Sequence, residues 1–142
     1  MKKVTKSENE WKKELSAEAY RVLREKGTEA PFSGKYYKTK TPGVYACAAC
    51  GNELFKSDAK FDSGTGWPSF AKPLNNEKVT MKPDVSHGME RIEVICNKCG
   101  SHLGHVFDDG PEQMPDGGKA TGKRFCINSC ALELQENDKK NP

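Results

Sequence analysis

Val44-Tyr-Ala-Cys47-Ala-Ala-Cys50-Gly51 and Arg91-Ile-Glu-Val-Ile-Cys96-Asn-Lys-Cys99-Gly100 are two copies of one arrangement. In each, a short run suited to a strand enters a Cys-x-x-Cys turn, and a glycine follows the second cysteine. The x-x spacing lets both sulfurs of a turn face one centre, and the glycine eases the tight turn. Together the two turns offer four thiolates, enough to close a tetrahedral zinc site with no open position. Cys47, Cys50, Cys96 and Cys99 are therefore the candidate ligands of one structural zinc ion. Iron–sulfur is the alternative on ligand type, and it ranks below zinc. The ~45 residues between the pairs exceed the roughly 15–20 of an ordinary zinc ribbon, so the site would staple two distant segments together.

Around this frame the chain has little else to fold with. Of 142 residues, 35% are hydrophobic and 30% charged, which makes the core lean and the folding free energy of a structural metal valuable. Lys+Arg 23 against Asp+Glu 20 gives +3, with the signs interleaved. That balance argues for a soluble protein and against a dedicated nucleic-acid or membrane surface. The longest apolar run, Val44 to Cys50, is seven residues, far short of the ~20 that a membrane span needs. Met1-Lys2-Lys3 is followed by no apolar stretch, so the expected compartment is the cytoplasm. Six cysteines there point to metal or catalysis rather than to structural disulfides.

The pattern predicts a mainly β fold of small antiparallel sheets with a short N-terminal helix. Ser16 is the expected N-cap of a helix over Ala17–Lys26, with Gly27 as its C-cap. Strands are expected at Val44–Cys47, Glu53–Phe55, Arg91–Ile95, Leu103–Phe107 and Arg124–Ile127. Phe61 to Phe70 carries two glycines and a proline and reads as a loop presenting an aromatic side chain. Asp108 to Gly122 reads as a surface loop. Residues 1–14 form a polar extension, 15–134 the domain, and 135–142 a disordered tail.

Two histidines and two cysteines are left over. Cys96, Cys99, His102 and His105 follow one another at intervals of three and could themselves be a metal string. If the cysteine pairs close the site, His102 and His105 are spare for chemistry or for structural hydrogen bonds. Cys126 sits in Lys123-Arg-Phe-Cys-Ile-Asn-Ser, where nearby cations favour the nucleophilic thiolate. In a strand, Arg124, Cys126 and Asn128 share a face while Lys123 points away. A nucleophile with oxygen-recognising neighbours is one reading of that face, and a small buried hydrophobe is the other.

Phe61-Asp-Ser-Gly-Thr-Gly-Trp-Pro-Ser-Phe70, Ser86-His-Gly-Met89, Ser101-His-Leu-Gly-His-Val-Phe107 and Arg124-Phe-Cys-Ile-Asn-Ser129 together closely resemble the methionine-R-sulfoxide reductase B family. The two Cys-x-x-Cys turns match its zinc-bearing members, and the resemblance runs from about Leu15 to Leu134. It implies a β-tent of two antiparallel sheets and an oxidoreductase that returns methionine R-sulfoxide to methionine, in proteins and as the free amino acid. Cys126 would be the nucleophile that ends as a sulfenic acid. His102, His105 and Asn128 occupy the positions that meet the sulfoxide oxygen, and general-acid help of this type is worth ~10²–10⁴ in rate. Trp67 would pack on the substrate methyl, with Arg124 and His87 as further substrate-binding positions. A thioredoxin-like reductant is the implied partner and a monomer the implied state.

Three positions depart from the family pattern, one of them Ile92, where threonine is common and only packing is expected to change. Thr65 stands where many members carry a resolving cysteine. Cys130 stands where a small residue is common, which makes it a candidate resolver: i and i+4 lie ~6 Å apart in a helical turn, within disulfide reach, but ~13 Å apart in a strand. Two other functional classes compete. A zinc-ribbon binding module would explain the turns but not the joint presence of Cys126, His102, His105, Asn128 and Trp67. A thiol redox sensor would form a Cys126–Cys130 disulfide without turnover.

Overall fold

The computed structural model of the chain describes residues 4–85, 88, 90–113 and 121–136. Its strands are β1 Gly43–Cys47, β2 Glu53–Lys56, β3 Lys60–Phe61, β4 Ser69–Phe70, β5 Val79–Asp84, β6 Arg91–Cys96, β7 His102–Phe107, β8 Arg124–Ile127 and β9 Leu132–Glu136. They form two antiparallel sheets, one of three strands in the order β2-β1-β9 and one of six in the order β3-β4-β8-β7-β6-β5. Helices α1 Glu8–Glu14 and α2 Ala17–Glu25 precede them. No helix among the described residues is long and apolar enough to cross a membrane.

Aromatic rings join the two sheets. Phe55 of β2 stacks on Phe70 of β4 with centroids 4.4 Å apart, and Tyr45 of β1 meets Phe70 edge-on at 5.2 Å. Phe125 of β8 closes the group at 5.9 Å from Phe55. A few large rings bury much apolar area per residue, which is how a sequence short of aliphatic residues still fills a core. From the helices, Trp11, Val22 and Leu23 enter the same core, none more than 1% exposed.

Several elements differ from the sequence expectation. Within residues 1–14, Ser7 and Glu10 make a capping box: the Ser7 hydroxyl accepts from the Glu10 N–H at 3.2 Å, and the Glu10 carboxylate accepts from the Ser7 N–H at 3.0 Å. Helix α1 follows, anchored by Trp11. Ser16 caps α2 as expected, accepting from the Ala19 N–H at 3.1 Å. Its left-handed C-cap is Lys26 (φ 57°), not Gly27. Gly27 answers a different need, because a Cβ there would lie 2.6 Å from Arg21 Nη1 and 3.0 Å from the Arg21 carbonyl oxygen.

Strand β5 has no alternating pattern and contains Pro83, which an edge strand tolerates. Strands β3 and β4 take the two ends of the stretch read as a loop, leaving Asp62–Pro68 between them. The expected tail begins too early at 135. Gln135 and Glu136 pair with Val44 and Gly43 at the end of β9, where backbone pairing rather than apolar content keeps them in the sheet.

Candidate active site and metal centre

The Cys47–Cys50 turn joins β1 to β2 in the smaller sheet, and the Cys96–Cys99 turn joins β6 to β7 in the larger. Their backbones repeat each other. The Gly51 N–H donates to the Cys47 carbonyl at 2.8 Å and the Cys47 N–H to the Asn52 carbonyl at 2.8 Å; Gly100 to Cys96 and Cys96 to Ser101 do the same at 2.9 Å. Gly51 and Gly100 have φ of 81° and 78°, and no neighbour lies within 4 Å of where their Cβ would be. Conformation, not crowding, requires glycine there.

The four Sγ atoms lie within 4.8 Å of one another, and the four residues together could hold a metal ion. Cys47 and Cys99 are 3.8 Å apart at sulfur, Cys50 and Cys96 3.6 Å. A tetrahedral ion with metal–sulfur bonds of ~2.3 Å requires sulfur–sulfur edges of about 3.8 Å, so the residues fit such an ion. Of the two arrangements open in the sequence, the structure gathers the four cysteines and gives both histidines carboxylate partners.

Residues 102 and 105 of a regular strand would face opposite sides of the sheet. A bulge in β7 changes this. Val94 faces Gly104 and Ile95 faces His102, so Leu103 has no partner of its own and the period is reset. Both rings therefore stand on one face, their centroids 5.3 Å apart. His102 Nδ1 is 2.7 Å from Glu93 Oε2, and His105 Nε2 is 2.8 Å from Asp84 Oδ2. Each carboxylate orients its ring and selects which nitrogen is left for other work, Nε2 of His102 and Nδ1 of His105. His102 Nε2 is buried with no protein partner among the described residues. Burial pushes the His102 pKa below the usual histidine range and outweighs the pull of Glu93.

Cys126 of β8 lies directly opposite His105, as Arg124 lies opposite Phe107. Side chains so paired have Cβ atoms ~4.5–5.5 Å apart. A cavity of ≈ 190 Å³ opens over this face, lined by Cys126, His105, Asn128, Trp67 and Arg124, together with Arg91, Phe107, Thr28, Thr65 and Gly104. The Asn128 amide is locked: Oδ1 accepts from the Glu29 N–H at 2.9 Å and Nδ2 donates to the Leu103 carbonyl at 3.0 Å, leaving one N–H free. The Trp67 indole N–H donates to the Glu29 carbonyl at 3.0 Å, fixing the ring on its loop. The backbone of Glu29 thus positions two cavity residues at once.

Other expected site residues fall elsewhere. His102 does not line the cavity and stands beside His105. His87 lies outside the described residues. Cys130 follows β8 in a 3-10 turn, Ser129–Ala131, and lines a separate cavity with Glu29 and Ser129. Arg91 and Glu93 carried a readable signal, since they alternate along β6 on the face that meets His105. Asp84 carried none, because its strand was not recognised.

Burial works against the thiolate expected at Cys126. Burial pushes this thiol above the ordinary cysteine range, and the Arg124 charge and the Thr65 hydroxyl offset only part of the rise. Arg124 is also shared with Asp109, to which its Nε donates at 2.9 Å and its Nη2 at 3.3 Å. Alkylation of Cys126 by iodoacetamide, followed by mass spectrometry, is expected to have a midpoint above the ~8.5 of a free cysteine, and Arg124→Met should move it higher. A midpoint below that of free cysteine would contradict the dominance of burial.

The SelR domain model matches residues 15–136, and the peptide methionine sulfoxide reductase MsrB of Methanosarcina barkeri is 59% identical over 134 residues, 94% of this chain and 89% of that protein. The chain belongs to the methionine-R-sulfoxide reductase B family. Proteins with the same name from Hahella chejuensis and Methanosarcina mazei are 53% and 57% identical, covering 97% and 92% of this chain and 94% and 88% of their own lengths. The family is one of oxidoreductases, and this chain is an enzyme of that class.

Proposed function

We propose that the protein reduces methionine R-sulfoxide to methionine through Cys126, acting on oxidised residues in polypeptides and on the free amino acid. The observation that carries this reading is the convergence of Cys126, His105, Asn128 and Trp67 on one cavity. The Trp67 ring offers an apolar wall for the substrate methyl, and the free Asn128 N–H and His105 Nδ1 offer polar contacts for the sulfoxide oxygen. Reading methyl and oxygen on different groups is what selects one sulfur epimer. Arg124 lies at the same opening and contributes to substrate binding.

The Cys126 sulfur attacks the sulfoxide sulfur, and the oxygen is protonated from the His105–Asp84 pair, with His102–Glu93 behind it. Collapse leaves the oxygen on Cys126 as a sulfenic acid and releases the thioether. The cysteine sulfur is oxidised by two electrons and the methionine sulfur reduced by two. A raised Cys126 pKa is compatible with this chemistry, because the resting thiol loses its proton as the oxygen gains one.

Two equivalents of an external thiol, or one thioredoxin-like dithiol, then return the sulfenic acid to the thiol and yield water and a disulfide. Cys130 is poorly suited to resolve it. Its thiol is pushed up to about 12 by burial and by the carboxylate of Glu29, which also accepts from the Cys130 N–H at 3.0 Å. Cys130→Ser is expected to keep turnover within about twofold of wild type with either dithiothreitol or thioredoxin, since a thiol so seldom ionised is a weak nucleophile. Loss of turnover with thioredoxin alone would make Cys130 the resolver.

Zinc is the ion proposed for the four cysteines, because an all-thiolate tetrahedral set with no open position suits a structural zinc that supplies folding free energy. None of the six cysteines is in a disulfide, which leaves the four of the cluster available as thiolate ligands. The test is turnover of separated R and S methionine sulfoxide by purified protein with dithiothreitol. R-only turnover supports the proposal, and turnover of neither epimer by folded protein would sink it.

A further inference from the structure

Phe32 is a bulky aromatic residue in the left-handed backbone region (φ 64°), a conformation that such side chains rarely adopt. The residue is also 65% exposed, so burial in the core does not offset the strain. The surrounding structure nevertheless holds it firmly. The Phe32 N–H donates to the Gly66 carbonyl at 2.7 Å, and the ring meets Tyr37 edge-on at 5.1 Å. Tyr37 is itself fixed, its hydroxyl donating to Asp62 at 3.2 Å. Gly66 has φ 97°, and a Cβ there would lie 2.7 Å from Pro31 Cβ and 2.9 Å from the Phe32 ring.

Position matters as much as strain. Gly66 directly precedes Trp67, and Trp67 is bonded to Glu29, three residues before Phe32. The segment carrying Phe32 is therefore joined to the loop whose Thr65 and Trp67 line the cavity, and its ring packs on Gly66 between those two residues. Strained residues that the surroundings over-determine concentrate where a ligand is clamped. A polypeptide whose oxidised side chain enters the cavity must lay its neighbouring residues over the rim. A free amino acid has none to lay there.

We propose that Phe32 is a specificity-determining residue that receives an apolar side chain flanking the oxidised methionine in a polypeptide substrate. This rests on the reduction proposed above. Phe32 touches neither Cys126 nor the sulfoxide in this scheme, so it acts on substrate affinity and leaves the chemical step alone.

The experiment compares wild type, Phe32→Gly and Phe32→Asn, the two replacements that suit a left-handed backbone. Substrates are short peptides bearing methionine R-sulfoxide beside leucine or beside serine, and free methionine R-sulfoxide, all with dithiothreitol. Wild type is expected to favour the leucine peptide through KM. Both variants are expected to raise that KM about fivefold, the loss of one partly buried apolar contact, with kcat and turnover of the free amino acid unchanged. Their Tm is expected to stay level or rise, because strain is relieved. A leucine preference that survives both variants, or a fall in Tm on relieving the backbone, overturns the inference. Turnover of the free amino acid reports separately on the reduction itself.

Discussion

Cys126→Ser is expected to lower turnover of methionine R-sulfoxide by on the order of 10⁴-fold or more while leaving the fold intact. The reaction moves an oxygen atom from one sulfur to another, and a serine hydroxyl cannot take it up without forming a peroxide. The thiol also has no structural partner that serine would lose: its surroundings are the cavity, the Thr65 hydroxyl and the Arg124 charge. Far-ultraviolet circular dichroism and Tm should therefore match wild type closely. Trapping with dimedone after one turnover should label Cys126 in wild type and no other cysteine. Retained activity in the variant would mean another nucleophile, and Cys130 is the one cysteine outside both Cys126 and the metal cluster. The same assay on Cys130→Ser would then identify it.

Much of this site was legible because its residues announce themselves by type and spacing. The four metal cysteines needed only their two turns, whereas strand alternation grouped Cys126 with Arg124 and Asn128 but left a buried hydrophobe open, and only the family resemblance chose between the two readings. The grouping of His102 with His105 was harder. Three residues apart in a strand means opposite faces, and only the bulge at Leu103 brings them together. Nothing local in Ser101-His-Leu-Gly-His marks that extra residue as unpaired. Asp84 and Glu29 were invisible for a different reason: each acts through a partner distant in sequence, Asp84 on His105 and Glu29 on Asn128 and Trp67. Helix α1 is the opposite case. Ser7 followed three residues later by Glu10 is a capping-box signature, so its start was readable and only its apolar poverty concealed it. The Cys126 pKa shows where composition misleads, since nearby cations in sequence lower a thiol only if burial does not outweigh them.

Removal of the metal is expected to cost on the order of 5 kcal/mol or more, and with it a Tm fall of roughly 15 °C. The size follows from what the site joins. One turn belongs to the three-stranded sheet and the other to the six-stranded sheet, so the ion would close a loop of ~45 residues across both. The N-terminal segment and α2 lean on the second turn. The Val4 N–H donates to the Lys98 carbonyl at 2.7 Å, and Arg24 Nη1 donates to the Cys99 carbonyl at 3.0 Å and to Ser101 Oγ at 3.1 Å. Arg24 also lies over the Trp11 ring at 5.1 Å, tying α1 into the same junction. Four thiols drawn together without an ion would leave soft donors crowded in the core, so the turns should separate and release these contacts. Strand β7, which carries both histidines, begins immediately after the second turn, and the cavity should lose its polar wall with it. The measurement is calorimetry of wild type, of protein treated with a chelator under denaturing conditions and refolded, and of Cys96→Ser, beside elemental analysis for zinc. One zinc per chain in wild type and none in Cys96→Ser, with the large Tm fall shared by both metal-free forms, is the expected pattern. Iron in place of zinc would overturn the choice of ion. A fall of only a few degrees would show instead that the Phe55, Phe70 and Tyr45 rings hold the two sheets together unaided.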